Sequence, residues 1–256
     1  MNVALFGAAG FTGRATLSSL VEHGHQVRSF DRGTEAWKEW EDTDGVWSAG
    51  EIVHGDIVDH DTVDAALEGI DAVVHMVIRS SGDPNDSNAF LINVKGLWNV
   101  LEVARRRGIR KIVHVGSCQT VHPSGTFFDQ EVRRPDWSQH AVSKRSQEEM
   151  CRLYSEAHDD ASVFVLRADY IVDSRLGIGR HREELGTSGR VLREGWVCRH
   201  DLAEACSLAV DTEGSGLHVL HIVGTPDAHK TCNVSHAREV LGLEFKGDLT
   251  RYAQPS

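Results

Sequence analysis

Beyond the three arginines at 105–107 no run of lysines or arginines occurs in this chain, and its formal charge is −11. Nucleic acid and anionic membrane both need clustered positive charge, so the composition argues against either as the main partner. No apolar run approaches the roughly 18 residues of a membrane span. The chain opens directly into Asn2-Val3-Ala4-Leu5-Phe6 with neither a charged leader nor a cleavage site, and a cytoplasmic address is expected. Cysteine is sparse. Cys118, Cys151, Cys198, Cys206 and Cys232 are odd in number and lack metal-ligand spacing, the pattern of free thiols in a reducing compartment. Fifteen histidines suggest metal only superficially, because no two of them have the His-x-x-x-His spacing that shares a helix face. Internal repeats and low-complexity tracts are lacking too.

What is present is alternation. The 256 residues, 40% of them hydrophobic, suit one α/β domain spanning 1–256. Short β-rich runs (Val3 to Phe6, Gln26 to Phe30, Ala72 to Val77, Lys111 to Val115, Ser162 to Leu166) are separated by helical patterns (Ala15 to His23, Thr62 to Leu67, Ala89 to Arg106, Gln139 to His158). That order predicts a doubly wound parallel sheet with helices on both faces. Ala72-Val73-Val74 and Ile112-Val113 lack polar alternation, as central strands covered on both sides should. Thr34 to Gly50 holds Trp37, Trp40 and Trp47 among acidic residues, and reads as an inserted helix or loop. After Arg167 the periodicity loosens; residues 169–200 and 225–256 read as a small C-terminal excursion facing substrate.

The first strand runs into Gly7-Ala8-Ala9-Gly10-Phe11-Thr12-Gly13 and then a helix. Glycine spacing of this kind makes a tight turn, lets the backbone approach a pyrophosphate and aims helix N-terminal amides at the phosphates, the Rossmann dinucleotide signature. The second strand ends at Asp31, close to the interval at which a carboxylate accepts hydrogen bonds from the adenosine ribose. This favours NAD. Arg32 follows at once and Arg14 sits just past the loop, so a guanidinium for the 2′-phosphate of NADP is also at hand.

On these residues the sequence resembles the extended short-chain dehydrogenase/reductase superfamily, in its NAD-dependent epimerase/dehydratase branch and at the compact size of uronate-dehydrogenase-like members. The glycine loop, His54-Gly55-Asp56-Ile57, Val73-Val74-His75-Met76, Asn93-Val94-x-Gly96, Val115-Gly116-Ser117, Leu166-Arg167, His200 to Ala205 and Ala237 to Gly242 are similar to the branch's motifs in order, over nearly the whole chain. The resemblance implies that Gly7, Ala9, Gly10, Phe11, Thr12, Gly13, Asp31, Arg32, Asp56, Ile57, Met76 and Lys144 contact the cofactor. It also implies a small polar substrate rather than a nucleotide sugar, because the C-terminal part is short.

The family's chemistry uses a tyrosine, a lysine four residues later and a Ser/Thr at a strand end. Here that frame reads His140-Ala141-Val142-Ser143-Lys144, so the lysine stays and the tyrosine is a histidine. In Ser117-Cys118-Gln119-Thr120-Val121 the serine position falls on Ser117 or Cys118. An imidazole exchanges protons near pH 7 without the tuning a phenol needs, so His140 can replace tyrosine as acid/base. Conversely, it is shorter, and an adjacent Lys144 ammonium opposes formation of imidazolium. A Cys118 thiolate beside His140 would be a nucleophile; a packed small residue is the blander account.

Among weaker candidates, Arg79, Ser80 and Ser81 follow the fourth strand, and Arg175, Arg180 and Arg199 offer forks for a carboxylate or phosphate; each also suits a solvated surface. His75 and His114 read as core histidines, His122 and Asp129 as loop residues between Cys118 and His140. The leading expectation is an NAD-dependent oxidoreductase or epimerase acting on a hydroxyl or carbonyl of a sugar-like or small polar substrate. A non-redox NAD(P)-binding sensor, or a lyase or cyclase using His140, stands as the alternative. The resemblance further implies homodimers through the helices at Ala89 to Arg106 and Gln139 to His158, with Leu97, Trp98, Leu101 and Leu153 at the contact or, equally, on their own sheet.

Overall fold

The computed structural model describes residues 1–48, 50–83, 85–118, 137–187, 191–193, 195–230 and 232–253. His122 and Asp129 lie outside them. Seven parallel strands form the main sheet: β1 (Asn2–Phe6), β2 (Gln26–Asp31), β3 (Glu51–His54), β4 (Ala72–His75), β5 (Lys111–Ser117), β6 (Ser162–Ala168) and β10 (Gly216–His221), in the order β10-β6-β5-β4-β1-β2-β3. The order reverses between β1 and β4, where a doubly wound sheet opens a crevice beyond its strand C-termini.

Alternation along the strands feeds a core on each face. Val3 and Leu5 of β1 join Leu17 and Leu20 of α1 (Phe11–Glu22) and Leu202 and Ala205 of α8 (Arg199–Asp211). Ala4 and Phe6 point the other way, with Val63 of α4 (His60–Ala66), Leu97 and Val100 of α6 (Gly96–Arg107) and Cys151 of α7 (Gln139–Ala157). Two-sided burial explains why β4 is buried throughout and apolar up to its last residue, His75.

Three findings refine the sequence reading. The helix expected from Ala89 is α5 (Ser87–Phe90), a π-turn (Leu91–Lys95) and α6, in succession. The tryptophan-rich insert forms α2 (Thr34–Lys38) and α3 (Glu41–Asp44); Trp37 and Trp40 are buried, and Trp40 lies 4.8 Å from the Phe11 ring. The excursion after Arg167 builds a second sheet from β7 (Tyr170–Asp173), β8 (Ile178–Gly179) and β9 (Trp196–Cys198), in the order β8-β7-β9. The C-terminal stretch after α9 (Val234–Leu241) packs onto that sheet: Leu249 and Tyr252 cluster with Val172 and Trp196, and Tyr252 Oη donates to Ser174 O at 2.9 Å. Asp201, in the His200-Asp201 motif, accepts the backbone N–H groups of Lys246 and Gly247 and fixes the path of that stretch.

Candidate active site and dinucleotide cleft

A cleft of about 480 Å³ opens at the reversal point. Its floor is the glycine loop. Gly7 has φ +91°, and a Cβ there would sit 3.1 Å from Met76 Cγ; a Cβ on Gly13 would fall 2.0 Å from Gly7 O. Only glycine permits this approach of loop, helix and fourth strand. Phe30 O holds the turn by accepting the N–H groups of Gly7 and Ala8. No side chain caps the N-terminus of α1, leaving its first amides directed at an anion-binding position.

Asp31 spans the loop and the second strand. Its Oδ2 accepts Ala9 N–H at 2.9 Å and its Oδ1 accepts Arg32 N–H at 2.8 Å, which leaves further lone pairs on both oxygens. Burial pushes its pKa up, against these two hydrogen bonds. Asp56 lines the same cleft and accepts Val58 N–H at 2.9 Å. Arg32, Ile57 and Met76 complete this half, together with Ala36 and Glu39 of the tryptophan-rich insert, which sequence reasoning missed. A bare cradle that Cβ atoms would fill, uncapped amides and a half-buried carboxylate at the end of β2 fit a dinucleotide.

At the other end Ser117, His140 and Lys144 line the cleft together. Ser138 starts α7 by accepting Ala141 N–H at 3.1 Å; His140 and Lys144, four residues apart, then share a face. Lys144 is buried, and its Nζ donates to Val115 O at 2.6 Å. Burial lowers its pKa to about 7. Behind it, His75 and His114 face each other across β4 and β5 with Nδ1 atoms 3.1 Å apart. Burial, then the charge of Lys144, holds His75 down to about 3 and His114 well below its usual range, so both are neutral core histidines.

Asn93, on the π-turn, ties these pieces together. Its Oδ1 accepts Arg79 N–H at 2.7 Å, its Nδ2 donates to Arg79 O and to Ser143 Oγ, and its own carbonyl accepts from Gln147. The Asn-x-x-Gly motif marked the residue without indicating this role. Deeper still, Arg167 of β6 forks onto Glu148 of α7 at 2.9 and 2.6 Å with both side chains at 0% exposure, fixing α7 against the sheet.

Several expected residues lie elsewhere. Cys118 does not line the cleft. It is buried in a cluster with Val223, Ala228, Cys232 and Val234, and hydrogen bonding to Cys232 and burial push its thiol well up. A thiolate nucleophile is therefore disfavoured on physical grounds, and strand alternation leaves Ser117 at the cleft. Arg199 is buried between Asp173 and Asp44 and offers no fork to a ligand. Arg175 is exposed away from the cleft, whereas Arg79, Ser80 and Arg180 line it. Arg79 is paired with Asp86 at 2.9 Å. Leu97 and Leu101 pack on their own sheet, while Trp98 and Leu153 are 54% and 55% exposed. Among the described residues no group of three or more His, Cys, Asp or Glu could hold a metal, and no helix is long and apolar enough to cross a membrane.

Fold and cleft together define a Rossmann-type α/β protein of the short-chain dehydrogenase/reductase kind. The chain belongs to the NAD dependent epimerase/dehydratase family, whose model matches residues 3–172. Among curated relatives, 3 beta-hydroxysteroid dehydrogenase/Delta 5-->4-isomerase of Mycobacterium tuberculosis is 32% identical over 126 residues, covering 46% of this chain and 32% of that protein. Uronate dehydrogenase of Pseudomonas syringae pv. tomato is 27% identical over 164 residues, 63% of this chain and 56% of that protein. The matches thus span less than two thirds of these relatives. Among solved structures, uronate dehydrogenase from Agrobacterium tumefaciens aligns with a TM-score of 0.74 at 21% identity, covering 100% of this chain and 90% of that one. UDP-glucuronic acid 4-epimerase from Bacillus cereus, in complex with NAD, aligns with a TM-score of 0.77 at 16% identity, covering 98% and 96%. At these identities the likeness concerns the fold.

Proposed function

We propose that residues 1–256 form one cytoplasmic domain that binds NAD and acts as an oxidoreductase or epimerase on a hydroxyl or carbonyl of a small sugar-like substrate. The observation that carries this reading is that Ser117, His140 and Lys144 share one cleft with the glycine cradle. Asp31, with Glu39 on the same side, favours a ribose diol over a 2′-phosphate; Gly7 to Gly13 would hold the pyrophosphate, and Asp56 and Ile57 the adenine side. The bound nicotinamide would accept or supply hydride. His140 exchanges the proton of the substrate hydroxyl, and Ser117 orients that oxygen. Lys144, its pKa lowered to about 7, is only part-charged at neutral pH and opposes an imidazolium less than a full ammonium would. Lys144 also supplies donors to the nicotinamide ribose. Acidic sugars are the first class to try, because uronate dehydrogenase is among the relatives this chain resembles. Homodimers through the exposed Trp98 and Leu153 faces of α6 and α7 belong to the same proposal.

Calorimetric titration with NAD and NADP, then absorbance at the nicotinamide band across a sugar and uronate panel, tests it. Binding with a substrate-dependent absorbance change that His140→Ala abolishes is the expected result. Binding with neither absorbance change nor epimerised product would leave a sensor or a non-redox lyase. Absence of binding would remove the cofactor reading altogether.

A further inference from the structure

Opposite walls of the cleft are tied to each other at the adenosine end. Ala36 and Glu39 line one wall, and Arg180, from the turn after β8, lines the other. Two residues past Arg180, the Arg182 guanidinium crosses over: Nη1 and Nη2 each donate to Asp42 at 2.8 Å, and Nη2 also donates to Glu39 O. The same guanidinium lies 4.3 Å above the Trp40 ring, which rests on Phe11 of the cofactor loop. Beneath this outer pair, buried Arg199 holds Asp173, Asp44 and Phe11 O together. The base of both arms is fixed, while the tip is closed by an exposed ion pair.

The tip is also strained. Arg182 has φ +62° and is the one non-glycine residue with positive φ among those described. The turn that imposes this is tight: Gly179 donates to Glu183 O, Arg182 to Gly179 O, and His181 to the Glu183 carboxylate. An exposed ion pair adds little to folding stability, so a residue kept in an unfavourable backbone region to make one points to a role in function.

We propose that Arg182 is a cofactor-retaining residue: its pair with Asp42 closes the cleft rim over the adenosine end and must open before a dinucleotide leaves. This rests on the reading of the cleft as a dinucleotide site. Its consequence is slow cofactor exchange, which suits a reaction that returns the cofactor to its starting oxidation state within one active site.

The test is stopped-flow displacement of NADH by excess NAD, beside a thermal melt of each cofactor-free protein. Arg182→Gly, which loses both the ion pair and the stacking on Trp40, should release NADH about five- to tenfold faster, and Asp42→Asn, which loses the ion pair alone, about two- to fivefold faster. The charge swap Arg182→Asp with Asp42→Arg, in which aspartate tolerates the left-handed backbone, should restore release to within about twofold of the wild type. Glycine adopts positive φ freely, so Arg182→Gly should melt no lower than the wild type. Wild-type release rates in both single variants would overturn the proposal, whatever the melts show, as would a swap as fast as the singles. A wild-type protein that binds no NADH would instead reject the cofactor reading on which the proposal stands.

Discussion

Lys144 is a cation buried at 3% exposure, with a backbone carbonyl as its hydrogen-bond partner. Methionine matches its length without the charge, so Lys144→Met isolates what burial of that charge costs. Lowering the pKa from 10.5 to about 7 corresponds to about 5 kcal/mol against the ionised form. Losing the hydrogen bond leaves Val115 O unsatisfied, at about 1–3 kcal/mol. The net gain for the variant is about 2–4 kcal/mol where the wild type is charged, or roughly 5–10 °C in Tm for a chain of this size. The pH dependence has a definite sign. Below pH 7 folded and unfolded chains both carry the proton, and the folded state bears the whole cost. Between pH 7 and 10.5 the unfolded chain keeps a proton that the folded one releases, so wild-type stability rises with pH. The advantage of methionine should thus be largest at pH 6 and vanish by pH 10, while turnover is lost. Calorimetric melts of cofactor-free protein at pH 6, 8 and 10 decide it. A variant that melts at or below the wild type at pH 6, or an advantage that persists at pH 10, would refute the reasoning.

Two further outcomes follow from burial. Glu148→Gln removes the carboxylate charge that the fully buried Arg167 guanidinium forks onto and should cost about 3–5 kcal/mol in urea unfolding; a loss below about 1 kcal/mol would show that solvent reaches the pair. Trp98→Lys should convert a dimer to a monomer by sedimentation while its far-UV circular dichroism stays that of the wild type, because the indole is 54% exposed on the single chain; a wild type that already sediments as a monomer would end the dimer reading.

What was legible in the sequence was what local geometry dictates. Gly7, Gly10 and Gly13 announce their turn because contacts within a few residues and with the neighbouring strand require it, and Asp31 follows from the length of one helix. Lys144 was placed by its spacing from His140. Strand β3 escaped because a four-residue edge strand with exposed Glu51, Ile52 and His54 has no core signature. The second sheet escaped because its strands are two to four residues long and are paired by remote partners, Tyr170 with Trp196. The part played by the tryptophan-rich insert depends on Arg182 and Arg199, more than 130 residues away in sequence. Ser117 and Cys118 were indistinguishable as letters; the direction each side chain takes from the end of β5 separates them.

Asn93 gives Arg79 one acceptor and one donor, the two bonds that an adjoining strand would make. A side-chain amide thereby stands in for a peptide group and carries the ladder of the sheet onto a helix. Aspartate, which has no donor for the Arg79 carbonyl, cannot take its place. The chain leaving β4 along the cleft, the Ser143-Lys144 turn and the helix that displays Trp98 consequently register on a single amide.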